Sequence, residues 1–379
     1  MKELVKVHYG EIGIKGKNKP DFERLLIKNI KIALENEQIE QVILEESRIH
    51  IYFKTQIDRN KITIALNKVF GIVWFSFAYE IEKDLEKINL FVRDKLEKNK
   101  EKTVVVDSRR SDKKFEKTSI EINKDVGKTL FDNGFKIDIH KPDITVYIEI
   151  LLLNKAIIYF EKNYGLGGLP VGCSGKVLLL LSGGIDSPAA AYLMMKRGCD
   201  VDYLHISVNK NIDKIKKLIE KLNEYSLAKS KLYNAEYDEF YKKTFEINAR
   251  EEVVLFKRFI TKLAEKVARE NNYLAIVNGD NLAQVASQTL ENILATEDGT
   301  NLPIFRPLIS YDKKEIIDLA KRIGTYETSL EEYKDCCSLV SSKNPSTKAK
   351  LDYVKKLDQM INLDQIIDRT ISKMEKIEI

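Results

Sequence analysis

The residues best suited to chemistry form one run, Ser182-Gly183-Gly184-Ile185-Asp186-Ser187. Paired glycines let an anion approach the backbone, and unpaired N–H groups at a helix start attract negative charge. Two hydroxyls and a carboxylate surround that glycine pair. A second set is Asp335-Cys336-Cys337-Ser338. Adjacent cysteines admit two readings, sulfur chemistry in a loop or small buried packing residues. Lys343, Pro345 and Lys348 nearby make the stretch read as loop and favour the first.

An anion loop needs a rigid strand before it and a helix behind it. Val177–Leu181, five apolar residues in a row, reads as a strand buried on both faces, as in a parallel sheet. Pro188 suits a first helical position, with Ser187 or Asp186 as the cap. The common phosphate loop is excluded. It requires Gly, four residues, then Gly-Lys-Ser/Thr, whereas Gly175-Lys176 is followed by Val177 and Pro170 stands where the first Gly belongs. Ser-Gly-Gly-x-Asp-Ser instead resembles the pyrophosphate loop of enzymes that split ATP into AMP and pyrophosphate. Such enzymes adenylate a carbonyl oxygen and let a nucleophile displace AMP.

From 177 onward strands alternate with helices, the pattern of a doubly wound parallel sheet. Asp202–Val208 and Tyr273–Asn278 read as strands. Ile212–Tyr225, Glu246–Glu270 (one helix or two joined), Lys313–Arg322 and Leu363–Lys373 read as helices. Ligands of such sheets lie beyond the carboxyl ends of the strands. The loop at 182–187, His205-Ile206 and Gly279–Gln288 are therefore expected to converge on one nucleotide pocket.

Residues 1–76 read as a βαββαβ, ferredoxin-like unit. The segment between its first strand and helix carries Lys15 and Lys17 among three glycines, which suits an RNA backbone or a solvated loop equally. Residues 77–170 form a second α/β piece, with a helix at Leu85–Lys98, a strand at Thr103–Asp107, a helix at Ser119–Asn133 and strands at Ile144–Leu152 and Ala156–Glu161. Between the Thr103 strand and the next helix, Arg109, Arg110, Lys113 and Lys114 flank Phe115. That suits nucleic acid, with Phe115 stacking on an unpaired base, or a charged turn with Phe115 tucked into the core.

Composition sets the bounds. The chain has 379 residues, 44% hydrophobic and 32% charged, which describes a folded protein of two or three domains. No stretch approaches the roughly 18 apolar residues of a membrane span, and Met1-Lys2-Glu3-Leu4-Val5-Lys6 carries no secretory signature, so a cytoplasmic location is expected. Cys173, Cys199, Cys336 and Cys337 are too few for a disulfide scaffold and lack metal spacing. Net charge is +5, and residues 1–176 hold 32 Lys and Arg against 27 Asp and Glu while the remainder holds 31 of each. The front of the chain is therefore expected to meet a polyanion and the back a small molecule.

Tyr9-Gly10-Glu11, Ser108-Arg109-Arg110-Ser111-Asp112, Gly167-Gly168-Leu169-Pro170-Val171-Gly172, Ser182–Ser187 and Gly279–Thr289, in this order, resemble the tRNA 4-thiouridine synthetase (tRNA sulfurtransferase) family over essentially the whole chain. The resemblance implies an N-terminal ferredoxin-like α+β domain (1–76), a THUMP RNA-binding domain (77–170) and a doubly wound pyrophosphate-loop domain of the adenine-nucleotide α-hydrolase type (171–379). It also implies ATP-dependent adenylation of uridine 8 of tRNA and replacement of its O4 by sulfur.

Carried over by position, Leu180-Leu181, Ser182, Gly183, Gly184, Asp186, Ser187, His205-Ile206, Lys257-Arg258, Gly279 and Gln288 would hold ATP, Asp186 acting through Mg²⁺. The family carries Arg-Arg at 257–258 and Glu at 280, where this chain has Lys257 and Asp280. Cys336 matches the cysteine that resolves a persulfide disulfide in members bearing a rhodanese domain, and Cys337 stands where those carry Gly. This sequence shows no rhodanese segment, so sulfur is expected from a separate persulfide donor, a separate rhodanese or sulfide. No iron–sulfur cluster is expected from one cysteine pair, and a homodimer is. The alternatives are another pyrophosphate-loop RNA-modifying ligase or amidotransferase, or a sulfur-carrier step in thiamine biosynthesis.

Overall fold

The computed structural model describes residues 1–379 apart from 210, 334–335, 337–339 and 341–344, and describes only the backbone at 244. It divides into two compact units, Met1–Gly168 and Leu169–Ile379.

Unit 1 runs β1 (Lys2–Tyr9), α1 (Lys19–Ala33), β2 (Ile39–Glu45), β3 (Arg48–Phe53), α2 (Arg59–Leu66), β4 (Ile72–Glu82), α3 (Leu85–Leu96), β5 (Thr103–Arg110), α4 (Ser119–Asp132), β6 (Lys136–Ile137), β7 (Ile144–Ile150), β8 (Lys155–Tyr159) and β9 (Asn163–Tyr164). All nine strands join one sheet in the order β2-β3-β1-β4-β8-β7-β5-β6, with β9 on β4. The boundary expected between 76 and 77 thus falls inside a strand. β4 pairs with β1 from Ile72 to Glu80 and with β8 from Ala78 to Glu82, serving both halves. β5 also continues past the expected Asp107, because its parallel pairing with β7 extends through Arg109 and Arg110.

Period-two alternation gives this sheet two different faces. Val146, Ile148, Ile150, Ala156 and Ile158 pack under α3 and α4 with Ile88, Val92, Ile122 and Val126. Residues one step along the same strands, Tyr147, Ile157 and Tyr159, gather with Leu4, Tyr52 and Trp74 on the opposite face. There Lys6, with no exposed surface, is ion-paired with Glu149, and its cross-strand neighbour His50 is buried. Burial, followed by nearby cations, lowers the imidazole pKa of His8 to about 4 and of His50 to about 3.

Unit 2 runs β10 (Lys176–Leu180), α5 (Asp186–Lys196), β11 (Asp200–Ser207), α6 (Asp213–Ser226), β12 (Lys231–Glu236), α7 (Asp238–Thr244), α8 (Glu252–Glu270), β13 (Ala275–Val277), α9 (Leu290–Glu297), β14 (Ile304–Phe305), α10 (Lys313–Ile323), α11 (Tyr326–Leu330), α12 (Leu351–Ile361), α13 (Leu363–Lys373) and β15 (Glu375–Glu378). Its sheet has the order β14-β13-β10-β11-β12-β15, parallel except at β15. Leu178, Leu204 and Ile276 of the central strands pack against Phe256, Phe259 and Leu263 of α8. The helical stretch expected at 246–270 is one helix, α8, which starts only at Glu252; α7 is separate and ends at Thr244, before that stretch begins. α5 starts at Asp186, so Pro188 is its third residue, and no side chain caps it. Proline is harmless there, because an N–H in the first turn has no helical partner.

The two histidines give unit 1 a pH dependence of known sign. The unfolded chain protonates them near 6.5, whereas the folded chain withholds those protons until about 4 and about 3. The unfolded state binds more protons across that window, so stability falls as pH drops through it. Thermal unfolding of the full chain at pH 5 should therefore start below its pH 7 temperature. His50→Gln should shrink the difference, and an unchanged difference in that variant would contradict the assignment.

Candidate active site

β10 lies between β11, which follows it in sequence, and β13, from the other half of the sheet. This is the point where the winding direction reverses and a crevice opens at the carboxyl edge. The loop from Ser182 to Ser187 closes on itself there. The Ser182 N–H donates to Ser187 Oγ at 2.9 Å, the two hydroxyls lie 3.1 Å apart, and the Gly184 N–H reaches Ser182 Oγ at 3.4 Å. Ser187 thus braces the loop from inside the helix rather than capping it.

Two glycines mark close approaches. A Cβ at Gly279 would lie 2.8 Å from the Ser187 nitrogen and 2.9 Å from the Asp186 carbonyl carbon. The chain leaving β13 is therefore pressed onto the first turn of α5. A Cβ at Gly183 would come within 3.0 Å of the Tyr333 ring.

Beside the loop opens a cavity of about 450 Å³, within the range of small-molecule sites. Leu180, Leu204, Ile206, Val253, Phe256 and Ile260 make an apolar wall suited to a flat base, and Ser182, Asp186 and Ser187 make a polar end. His205 is buried, its Nδ1 donating to the Leu181 carbonyl at 2.8 Å. Buried Gln288 Oε1 has no donor among the described residues, an acceptor fit for a ribose hydroxyl.

Two charged clusters face this space. Lys313 Nζ lies 3.1 and 3.4 Å from the Asp186 carboxylate oxygens, one of which also accepts from Gln284 Nε2 at 3.4 Å. Deeper in, Asp280 accepts from Lys257 at 2.7 Å and Gln288 at 3.1 Å, with Arg306 at 3.7 Å and Glu297 paired to that arginine. Burial pushes the Asp280 carboxyl up, but the Lys257 charge and hydrogen bond outweigh it and leave the pKa below the ordinary carboxylate value. Asp186 sits at the mouth with hydroxyl and phosphate oxygens as its natural companions. One carboxylate plus substrate phosphates is a donor set that fits Mg²⁺.

Leu180, Leu181, Ser182, Asp186, Ser187, His205, Ile206, Lys257, Gly279, Gln288 and Cys336 all line this one cavity. Gly183 and Gly184 form the turn beside it. Cys336 is 1% exposed and its S–H donates to the Ile206 carbonyl at 3.3 Å. Cys337 lies outside the described residues.

Arg258 is a correction. It is buried on the other side of α8, about 100° around from Lys257, where it pairs with Asp358 and donates to the Ala295 and Asp298 carbonyls. Gln284 arrives with the Gly279–Gln288 segment, whereas Lys313 comes from a helix to which the sequence assigns no part in the site. Lys313 had one local signal, the Asp312–Glu315 capping box that starts α10 beside it.

In unit 1, Arg109, Lys17, Lys113 and Lys114 are exposed. Arg109 shares a cleft of about 100 Å³ with Arg48, His50 and Glu149. Lys15 lies 4.9 Å over the Phe22 ring. Arg110 donates to the Phe115 carbonyl at 3.0 Å. Phe115 is partly buried, packed against the core under α3 and α4.

The parallel sheet, the loop at its winding reversal and the pocket beside it are the arrangement of a nucleotide-binding α/β unit. Known proteins agree. The family model described as thiamine biosynthesis protein (ThiI) matches residues 172–363, its ferredoxin-like domain 4–76, and the THUMP domain 81–161. A probable tRNA sulfurtransferase of Caldanaerobacter subterraneus subsp. tengcongensis is 38% identical over 97% of this chain and 98% of its own. One from Coxiella burnetii is 36% identical over the full length of both. The solved structure of a 4-thiouridine synthetase–RNA complex with bound ATP covers both chains fully, at 30% identity and a TM-score of 0.88. The chain belongs to the tRNA sulfurtransferase family.

The placement of Arg258 separates stability from binding. Arg258→Ala leaves the Asp358 carboxylate buried without its main partner, which should cost about 3 kcal/mol of unfolding free energy. ATP affinity measured by calorimetry on the folded fraction should stay within about twofold of wild type. A large affinity loss without destabilisation would return Arg258 to the site.

Proposed function

We propose that this chain is an ATP-dependent tRNA sulfurtransferase that converts uridine 8 of tRNA to 4-thiouridine, releasing AMP and pyrophosphate. The observation that carries this reading is the meeting of the Ser182–Ser187 loop, the apolar slot and Cys336 on one cavity. Leu180, Ile206 and Phe256 clasp the adenine, Gln288 takes a ribose hydroxyl, and loop N–H groups receive the pyrophosphate. Asp186, with phosphates and water, would hold Mg²⁺, which supplies positive charge to the leaving pyrophosphate. Lys313, paired with Asp186, adds a cation at the same end.

Uridine C4=O resists displacement until its oxygen is esterified. O4 attacks the α-phosphorus, pyrophosphate leaves, and the N3 proton is lost to solvent. A persulfide's terminal sulfur then attacks C4 and AMP departs. Cys336 thiolate attacks the donor's inner sulfur, leaving sulfur on C4 and a donor–Cys336 disulfide for a cellular thiol to reduce. With sulfide as donor no protein thiol is needed. Unit 1 meets the tRNA in this reading, through Lys17, Arg109, Lys113 and Lys114. A cytoplasmic homodimer, with a separate protein supplying the persulfide, completes it. Because the matched family model is described by thiamine biosynthesis, sulfur transfer there is a second reading, and dependence on tRNA distinguishes the two.

Turnover with tRNA, ATP, Mg²⁺ and sulfide should yield AMP, not ADP. Asp186→Ala should reduce it at least about 1,000-fold, roughly 4 kcal/mol of barrier, with tRNA affinity within a few-fold. ADP as product would contradict the reading. Cys336→Ser should lower persulfide-dependent thiolation at least about tenfold, roughly 1.4 kcal/mol, and Cys337→Ser much less. Both should retain sulfide-dependent thiolation, read as 4-thiouridine absorbance. Full persulfide-dependent activity of the double variant would make the pair a packing feature.

A further inference from the structure

Lys214, near the start of α6, is a lysine with only 7% of its surface exposed. Burying an ammonium is costly unless its protons are taken up. Its Nζ donates to the Ser329 carbonyl at 2.9 Å and the Glu331 carbonyl at 2.7 Å, and lies 5.7 Å from the centre of the Tyr333 ring. The cation thereby fixes the course of the chain from Ser329 to Tyr333.

That chain lies directly on the nucleotide loop. The Tyr333 ring sits where a Cβ on Gly183 would meet it at 3.0 Å, and the Lys214 Cε lies 3.6 Å from the same point. Ser329 Oγ reaches the Gly184 carbonyl at 3.5 Å. The Tyr333 hydroxyl lies 2.7 Å from His205 Nε2. The Leu181 carbonyl can only accept, so the proton of His205 is on Nδ1. Nε2 must then accept from the tyrosine. One side chain therefore touches the pyrophosphate turn with its ring and the adenosine edge with its hydroxyl. Three residues further on, Cys336 is bonded to Ile206 on that same edge.

We propose that Lys214 and Tyr333 are positioning residues for ATP. Lys214 anchors the Ser329–Tyr333 chain, and Tyr333 sets Gly183 and His205 in one fixed relation, so that the phosphate and adenosine ends of the pocket are presented together. The buried ammonium also places positive charge directly behind a loop that must receive pyrophosphate. This rests on the cavity being the ATP site. It assigns to the chain after α11 a part in ATP affinity, separate from the sulfur chemistry of Cys336.

The test uses the full-length chain with tRNA and sulfide, so that no protein thiol is needed. Tyr333→Phe should raise the KM for ATP about fivefold, and Lys214→Met at least about tenfold, each with kcat within about threefold of wild type. Lys214→Arg, which keeps charge and donors, should restore most of the affinity. An unchanged KM in both Tyr333→Phe and Lys214→Met overturns the proposal, and so does a collapse of kcat at constant KM, which would make Lys214 a transition-state ligand. If Lys214→Met fails to fold, Tyr333→Phe decides alone, since it removes a single oxygen. Gly279→Val serves as the control on the site itself. Undiminished ATP binding by that variant would show that ATP lies elsewhere, a failure of the parent reading that is distinct from an unchanged KM in the two positioning variants.

Discussion

The structure of unit 2 depends on one close backbone approach. The chain leaving β13 meets the first turn of α5 at Gly279, where the space admits no side chain. That contact joins the two halves of the sheet across the point of reversal and brings the Gly279–Gln288 segment against the Ser182–Ser187 loop. Glycine there loses more backbone freedom on folding than any other residue would. The folded protein retains it because any larger residue would push the two walls of the pocket apart.

The rest of the pocket follows from charge placement around this contact. Asp186 at the mouth is balanced by Lys313, and Asp280 in the depth by Lys257 with Arg306 behind it. Each carboxylate thus has its own cation. Unit 1 solves a related problem differently. Its helix-covered sheet face is apolar, while the other buries Lys6 against Glu149 among aromatic rings and keeps His50 neutral.

Much of this was legible in the sequence where the signal is local. Ser-Gly-Gly-x-Asp-Ser after five apolar residues specifies a strand, a tight turn and a helix, and the carboxyl-edge rule brings His205 and Gly279 to it. Information that lives between distant segments was not legible. Lys257 and Arg258 are neighbours in sequence, yet helical geometry sends one into the pocket and the other to Asp358. Phe115 is flanked by four basic residues, which suggests nucleic acid, but its partial burial is decided by the core under α3 and α4. The boundary expected at 76, where the ferredoxin-like match also ends, falls inside β4, which is long enough to serve two sets of partners. β15, with three charged residues of four, has no strand pattern and forms because it seals the β12 edge.

If uridine O4 is esterified by AMP in this pocket before sulfur arrives, that oxygen leaves on the nucleotide. The most direct measurement follows that oxygen. tRNA carrying oxygen-18 at O4 of uridine 8 is turned over with ATP and sulfide, and the nucleotide product is analysed by mass spectrometry. The account predicts heavy oxygen in the phosphate of AMP, in equal amount to the 4-thiouridine formed. Unlabelled AMP, with the heavy oxygen released to water or inorganic phosphate, would contradict it.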